Sequence, residues 1–171
     1  MSILNFEFKA QSNGLDLQES KLLTLNPLFI GEDFQTDTYF NVPVGRLKIR
    51  EGNIENSLIY YEREDKAAAK QSNVLLYQHQ PDKILKEILT KVHGVKVVVE
   101  KKRKIYFIDN VKFHFDTIKG LGTFIEVEAI DKTGAIGIKN LEEQCRKYST
   151  LLGIRESDYV RESYSDMKIQ L

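Results

Sequence analysis

The stretch Asn5-Phe6-Glu7-Phe8-Lys9 alternates polar and apolar side chains with a period of two. This period is typical of a β-strand that has one face on apolar packing and the other on a polar environment. Residues 46–50, 112–116 and 125–129 repeat the pattern, each close to a glycine or another turn signal. Four strands of the same type predict a sheet whose two faces differ in polarity throughout.

The remaining elements follow from side-chain type and helical spacing. Residues 58–63 and 97–107 are rich in β-branched and aromatic side chains and predict strands, with a weaker candidate at 36–42. Apolar spacing predicts helices at 81–92, at 140–152 with Asn140 as N-cap, and at 15–25. Polar residues 64–73 predict a mobile excursion. These elements predict an α+β fold with seven or eight strands.

Composition excludes several classes of protein. The chain has 171 residues and 42% hydrophobic side chains, which fits one domain over residues 1–171 and excludes disordered and low-complexity proteins. Because 25 basic residues balance 25 acidic ones, we expect no general attraction to DNA or to a membrane. A lone Cys145 and the lack of an apolar leader predict a cytoplasmic protein.

The polar faces of the predicted strands carry more positive than negative charge. Side-chain parity places seven cations against four acids, a surplus of three in a chain whose net charge is zero. The cations are Lys9, Arg46, Lys48, Arg50, Arg63, Lys101 and Arg103, and the acids are Glu7, Asp116, Glu126 and Glu128. If the sheet closes into a barrel, these groups converge on one lumen that requires a polyanion. The alternative is ordinary cross-strand ion pairs facing water.

Phosphate chemistry suits such a surface. Arginine binds phosphate oxygens with a planar fork, and lysine supplies a point charge. Glu126 and Glu128, two residues apart on one face, offer the hard oxygen ligands that Mg²⁺ or Mn²⁺ prefers. His114 lies on the same face two residues before Asp116, which makes it a candidate for substrate contact or proton transfer.

Several motifs, in order along the chain, resemble the CYTH superfamily, which includes class IV adenylate cyclases and thiamine triphosphatases. Residues 5–9 resemble the opening ExExK strand of that family, with Asn5 in place of its first acid, a variant associated with the cyclase-like branch. Residues 35–40, 45–50 and 58–63 are similar to its next strands, and residues 101–103 to its basic strand. Residues 114–128 resemble its acidic pair, and residues 163–166 its closing motif.

The resemblance implies a closed antiparallel β-barrel of about eight strands, the triphosphate tunnel, with flanking helices. It implies that a triphosphate is bound by Lys9, Arg46, Lys48, Arg50, Arg63, Lys70, Lys101 and Arg103. It further implies that Mg²⁺ or Mn²⁺ is bound by Glu7, Asp116, Glu126 and Glu128. The candidate catalytic residues are Glu7, Lys9, Arg63 and His114. Relatives in this family are often homodimers, which makes a homodimer a possibility here.

Three functions are compatible with these residues. The resemblance favours a metal-dependent, class IV adenylate cyclase-like enzyme that converts ATP to cyclic AMP and pyrophosphate. The first alternative is hydrolysis of tripolyphosphate, thiamine triphosphate or a nucleoside triphosphate. The second is a non-catalytic module that binds polyphosphate or nucleotide, since Asn5 removes one carboxylate from the expected metal site.

Overall fold

The computed structural model describes residues 3–63 and 70–171, with the side chains of residues 3, 63, 70 and 71 outside that description. Eight strands form one closed antiparallel barrel in the order β1-β5-β4-β3-β2-β6-β7-β8, which confirms the predicted fold class. The strands are β1 (Ile3–Gln11), β2 (Leu28–Phe40), β3 (Arg46–Glu51), β4 (Ser57–Arg63), β5 (Lys70–Gln78), β6 (Val95–Ile108), β7 (Val111–Ile118) and β8 (Gly122–Asp131). Closure gives every strand two hydrogen-bonded neighbours, so that the sheet has no open edge.

Helices flank the barrel. In the described residues they are α1 (Leu15–Leu23), α2 (Lys83–His93), α3 (Ile138–Leu152) and α4 (Tyr164–Ile169). The prediction that Asn140 caps α3 is wrong, because Gly137 occupies the N-cap position and the Asn140 amide donates to the carbonyl of Ile136 at 2.7 Å. Gly153 ends α3 in the left-handed conformation, which a glycine adopts without steric cost.

The larger apolar cluster lies between the barrel wall and the helices rather than inside the barrel. Phe6 and Phe8 of β1 are buried in this cluster, where they join Leu141 and Cys145 of α3. Glu7, between the two phenylalanines, is also buried but faces the lumen, where it lines the central cavity. Because of its period-two alternation, β1 places its apolar side chains on the outer face of the barrel and its charged side chains in the lumen.

Three elements differ from the sequence prediction. Residues 70–73, expected in a mobile excursion, belong to β5, while 64–69 lie outside the described residues. Residues 74–77 of β5 are apolar on both faces, which obscured the alternation of this strand. β2 begins at Leu28 rather than near residue 36 because its pairing with β6 continues to Phe107. The short helix α4 was not predicted.

α2 is amphipathic, as its spacing predicts, but its apolar side chains are not covered. Every residue of this helix is exposed or half-buried, and Ile84, Ile88 and Val92 are among the exposed ones. Within the described residues, no helix has the length and apolar character needed to cross a membrane.

Candidate functional site

A cavity of about 480 Å³ lies within the barrel, a size typical of small-molecule sites. At one end of the lumen, Tyr39, Val99, Ile118 and Phe124 pack with Tyr164 of α4 as an apolar cluster. At the other end, the cavity is bordered by Asn56 and by His79 and Pro81, which follow β5. Eight of the predicted site residues line the cavity: Glu7, Lys9, Lys48, Arg50, Lys101, Arg103, Glu126 and Glu128.

Three of the predicted phosphate-binding cations converge on one buried acid, Asp37 of β2. Its carboxylate accepts hydrogen bonds from Lys48 Nζ at 2.9 Å, from Arg50 Nε at 2.8 Å and from Lys101 Nζ at 2.7 Å. Burial by itself would raise the pKa of Asp37, but Arg50, Lys101 and Lys48 together hold it well below its usual range. Asp37 thus fixes three cationic head groups at one position in the lumen.

For Lys101, burial outweighs the nearby opposite charge in setting the pKa, whereas for Asp37 the nearby charges outweigh burial. Burial lowers the pKa of Lys101 well below its usual value, and the contact with Asp37 offsets this only in part because Arg50 and Arg103 are also close. A lysine crowded by other cations is stabilised in its charged form by an added anion. This part of the lumen is therefore suited to a group with several negative charges.

Arg103 joins two predicted metal ligands. It donates to Asp116 Oδ1 at 2.7 Å through Nε and to Glu126 Oε2 at 2.7 Å through Nη2. The other oxygen of Asp116 accepts from Arg103 and, at 2.9 Å, from the hydroxyl of Tyr164. Both oxygens of Asp116 are thus used within the protein, and the carboxylate orients Arg103.

The second candidate group consists of His114, Glu126 and Glu128. One ligand atom from each lies within 4.8 Å of the other two. Nδ1 of His114 is 3.5 Å from Glu126 Oε2, too long for a full hydrogen bond, and within the described structure both buried ring nitrogens lack a hydrogen-bond partner. Burial, followed by the cations Arg103 and Lys112, lowers the pKa of His114 to about 3, so that the ring is neutral at pH 7.

The pKa values of the two carboxylates of this group are shifted in opposite directions. Burial raises the pKa of Glu128 to about 7, with Lys112 opposing the shift and the acids Glu126 and Glu7 adding to it. For Glu126, the nearby cations Lys9 and Arg103 outweigh burial and lower the pKa well below its usual value. Carboxylate oxygens are the donors that Mg²⁺ and Mn²⁺ prefer, and a neutral imidazole suits divalent transition metals. The donor set fits a divalent cation.

β1 and β8 place the opening motif beside this group. Glu7 pairs with Glu128, and Lys9 pairs with Glu126, in the register of the two strands. Nζ of Lys9 is 3.9 Å from Glu126 Oε1 and 3.8 Å from the centre of the Tyr164 ring. Glu7 and Lys9 of the opening motif therefore lie beside Glu126 and Glu128, although more than a hundred positions separate the two pairs in sequence.

Arg46 differs from the eight predicted residues that line the cavity. Arg46 lies outside the lining of the central cavity and forms an ion pair with Asp166 at 2.8 Å, just after the start of α4. Arg63 and Lys70 belong to β4 and β5, but their side chains lie outside the described residues. Their roles in catalysis and substrate binding stay predictions.

Sequence reasoning missed three charged residues of the lumen. Asp37 and Lys112 follow the same period-two parity as their predicted neighbours and could have been included by it. Glu55 comes from the turn between β3 and β4, where no periodicity applies, and its carboxylate pairs with Lys112 and, at 3.1 Å, with Arg50. Although burial opposes the shift, Lys112 and Arg50 lower the pKa of Glu55 well below its usual range. Asp37 and Glu55 add two negative charges to the lumen, and Lys112 adds one positive charge. Together they reduce the surplus of positive charge that the sequence predicts.

Comparison with solved structures identifies the same barrel in other organisms. The PH1012 protein from Pyrococcus horikoshii OT3 superposes with a TM-score of 0.79 at 25% identity, covering 95% of this chain and 98% of that one. A Vibrio parahaemolyticus protein provisionally assigned as an adenylate cyclase gives a TM-score of 0.78 at 16% identity, with 96% and 97% covered. HpAC1 from Hippeastrum is a provisional adenylyl cyclase with a dominant triphosphatase activity. It superposes with a TM-score of 0.62 at 15% identity, covering 99% of this chain and 94% of that one.

No curated protein matches the chain. The family model of the CYTH domain matches residues 4–164, which is almost the whole chain, and the closed eight-stranded barrel agrees with that family's triphosphate tunnel fold. The chain therefore belongs to the CYTH domain family.

Proposed function

We propose that this protein is a metal-dependent enzyme that acts on a triphosphate compound bound in the lumen of the barrel. One observation carries the proposal: the cations gathered around Asp37 and the group of His114, Glu126 and Glu128 line or border the same cavity of about 480 Å³. Cations that stabilise phosphate charge, placed beside ligands for a divalent metal, are the requirement of phosphoryl-transfer chemistry.

The residues have separate roles in this proposal. Lys48, Arg50 and Lys101 bind the phosphate chain, and Arg103 orients Glu126. Glu126, Glu128 and His114 would hold Mg²⁺ or Mn²⁺, with Glu7 beside them in the register of β1 and β8. When bound, the metal would supply positive charge where negative charge develops on the phosphate oxygens.

We further propose the cyclase-like reaction as the activity, on the strength of Asn5 and of the resemblance around residues 60–63. The ribose 3′-oxygen of ATP forms a bond to the α-phosphorus, and the bond from that phosphorus to the α,β-bridging oxygen breaks. The products are cyclic AMP, pyrophosphate and the proton of the hydroxyl. Hydrolysis is the second candidate, because the triphosphatase HpAC1 shares this fold.

Product analysis tests the proposal. Purified protein is incubated with Mg²⁺ or Mn²⁺ and, separately, with ATP, thiamine triphosphate and tripolyphosphate, and cyclic AMP, pyrophosphate and phosphate are quantified. Equal amounts of cyclic AMP and pyrophosphate from ATP support the cyclase, whereas phosphate release without cyclic AMP supports hydrolysis. Binding without turnover of any of the three compounds would reduce the protein to a binding module.

Two substitutions separate metal-dependent turnover from phosphate binding. Glu126→Gln keeps the shape of the side chain and should abolish metal-dependent turnover, while Lys48→Met should mainly weaken triphosphate binding. Lys102→Met is the matched control, since Lys102 lies on the outward face of β6 and its side chain is 48% exposed. Unchanged kinetics in both lumen variants would remove these residues from the site.

Location and assembly are part of the same proposal. We place the enzyme in the cytoplasm, where the lone buried Cys145 stays reduced. A homodimer also stays a prediction, and light scattering on the purified protein measures it directly.

A further inference from the structure

The turn between β3 and β4, residues 52–56, carries an acidic side chain into the end of the lumen opposite to α4. Asp33 of β2 is completely buried, and its carboxylate accepts hydrogen bonds from the backbone N–H groups of Ile54 and Glu55, both at 2.9 Å. A Cβ atom on Gly52 would lie 2.5 Å from an oxygen of Asp33, so this close approach requires a glycine. The turn is therefore fixed to the barrel wall by a buried carboxylate, and the position of Glu55 is fixed with it.

The side-chain carboxylate of Glu55 is bound by donors that line or border the lumen. Its Oε2 accepts from Arg50 Nη1 and from Gln35 Nε2, each at 3.1 Å, and its Oε1 accepts from Lys112 Nζ. The side chain of Glu55 is 24% exposed and that of Lys112 is 12% exposed, so the two charges attract each other more strongly than they would in bulk water. Glu55 therefore occupies the place on Arg50 and Lys112 that a phosphate oxygen could otherwise take.

Three cations lead from α4 to this turn. Lys101 lies near α4, with its Nζ 5.8 Å from the centre of the Tyr164 ring. Lys48 and Lys101 share Oδ2 of Asp37. Arg50, two residues after Lys48 along β3, contacts Asp37 through Nε and the turn carboxylate through Nη1. We call Lys101, Lys48 and Arg50 the cationic track, which therefore runs from the α4 end of the lumen to the turn between β3 and β4.

Glu55 places a fixed negative charge at the end of the cationic track. A phosphate group added beyond Arg50 meets this charge, and like charges side by side in a region of low dielectric repel strongly. The added phosphate also cannot contact Lys112 without displacing Glu55, whose backbone is held by the buried Asp33. Phosphates nearer to Asp37 are repelled less, because the Coulomb energy falls with distance.

We infer that Glu55 ends the cationic track and limits the length of the phosphate chain that the lumen accepts, so that longer linear polyphosphates are excluded. Glu55 is thus a specificity-determining residue that acts by repulsion and by masking Lys112. This inference rests on the proposed function, since it assumes that phosphates occupy the cationic track. It concerns the number of phosphates and does not depend on the organic group attached to them.

Calorimetric titration with tripolyphosphate and tetrapolyphosphate, in buffer containing EDTA to prevent turnover, tests the inference. The wild type should bind tetrapolyphosphate more weakly than tripolyphosphate. Glu55→Gln keeps an acceptor oxygen but removes the charge, and it should strengthen binding of tetrapolyphosphate by about tenfold or more and that of tripolyphosphate much less. Glu51→Gln is the matched control, because Glu51 lies outside the cavity lining and pairs with Lys86 of α2 at 2.6 Å.

The double variant Glu55→Gln with Lys112→Met removes one charge of each sign, so that the net charge of the lumen is unchanged. Its affinity for tripolyphosphate should stay within about threefold of the wild-type value, because the cationic track ends before Lys112. Its preference for tripolyphosphate over tetrapolyphosphate should still be weaker than in the wild type, since the repulsion by Glu55 is gone. A larger loss of tripolyphosphate affinity would place a phosphate on Lys112 and overturn the inference.

The outcomes separate this inference from the proposed function. A wild type that prefers tetrapolyphosphate overturns the inference, as does an unchanged ratio of the two affinities in Glu55→Gln. The same change of ratio in Glu51→Gln also overturns it, because a general effect of net charge would then explain the result. In each of these cases, binding of tripolyphosphate by the wild type keeps the proposed function. Failure of both compounds to bind to the wild type, with EDTA or with Mg²⁺, overturns the proposed function itself.

Discussion

Lys101 Nζ lies 2.7 Å from Asp37 Oδ2 inside the barrel, with both side chains almost completely excluded from solvent. Lys48 and Arg50 contact the same carboxylate. Four charged groups from three strands are thus held together in a region of low dielectric. Removal of the single acid would leave three cations close to one another.

We therefore predict that Asp37→Asn lowers the free energy of unfolding by about 3–5 kcal/mol, the usual result of removing one partner of a buried ion pair. Urea denaturation of the variant and the wild type measures the difference. Tripolyphosphate should raise the melting temperature of Asp37→Asn more than that of the wild type, because the anion replaces the lost negative charge. A variant as stable as the wild type would show that the cations do not depend on Asp37.

Tyr164 stabilises the apolar end of the lumen through its ring and its hydroxyl. The ring packs against Phe124 with centroids 5.2 Å apart, and the hydroxyl donates to Asp116 at 2.9 Å. Tyr164→Phe keeps the ring and should cost about 1.5–3 kcal/mol of unfolding free energy, as expected for a hydrogen bond to a charged group.

Tyr159→Phe provides the comparison for Tyr164→Phe in the same denaturation experiment. Its hydroxyl bonds the neutral hydroxyl of Ser149 at 2.6 Å, and the loss should be about 0.5–1.5 kcal/mol. If Tyr164→Phe lowered the free energy of unfolding no more than Tyr159→Phe, the result would contradict a hydrogen bond from Tyr164 to a charged Asp116.

Asp131 gives the fold a predictable acid sensitivity. Its carboxylate accepts backbone hydrogen bonds from Gly137 at 3.0 Å and Gly134 at 2.7 Å, among others, at the turn that leads into α3. These bonds lower the pKa of Asp131 to about 2, below the value of about 3.9 for an unfolded chain. The stabilisation is therefore complete above pH 4 to 5 and is lost as the pH falls through about 2.

Asp131→Asn tests this sensitivity. The variant should unfold at lower urea concentration than the wild type at pH 7, and the gap between the two midpoints should narrow as the pH is lowered to about 2.5. A gap that stays constant over this range would show that ionisation of Asp131 does not contribute to stability.

Cys145 should be unreactive in the folded protein. Burial raises the pKa of its thiol to about 12, and the thiol donates to the carbonyl of Phe6 at 3.2 Å. Because the thiolate is the reacting form, iodoacetamide at pH 8 should leave the native protein unmodified and should modify it fully in urea. Mass spectrometry measures both, and rapid modification of the native protein would contradict this burial.

For β1 and β8, the sequence by itself determined which side chains face the lumen. Period-two alternation depends only on the geometry of an extended chain, so Glu7, Lys9, Glu126 and Glu128 could be assigned to one face before any strand pairing was known. The same local rule failed for β5, where both faces carry apolar side chains, and for Glu55, which lies in a turn.

The tertiary structure alone decided which charges meet. Asp37 and Lys101 are 64 positions apart, and their contact depends on the register between β2 and β6. Asp116 shows the same dependence, since its pairing with Arg103 uses oxygens that the sequence assigned to a metal. Local patterns fix the direction of a side chain, but strand register and barrel closure fix its neighbours.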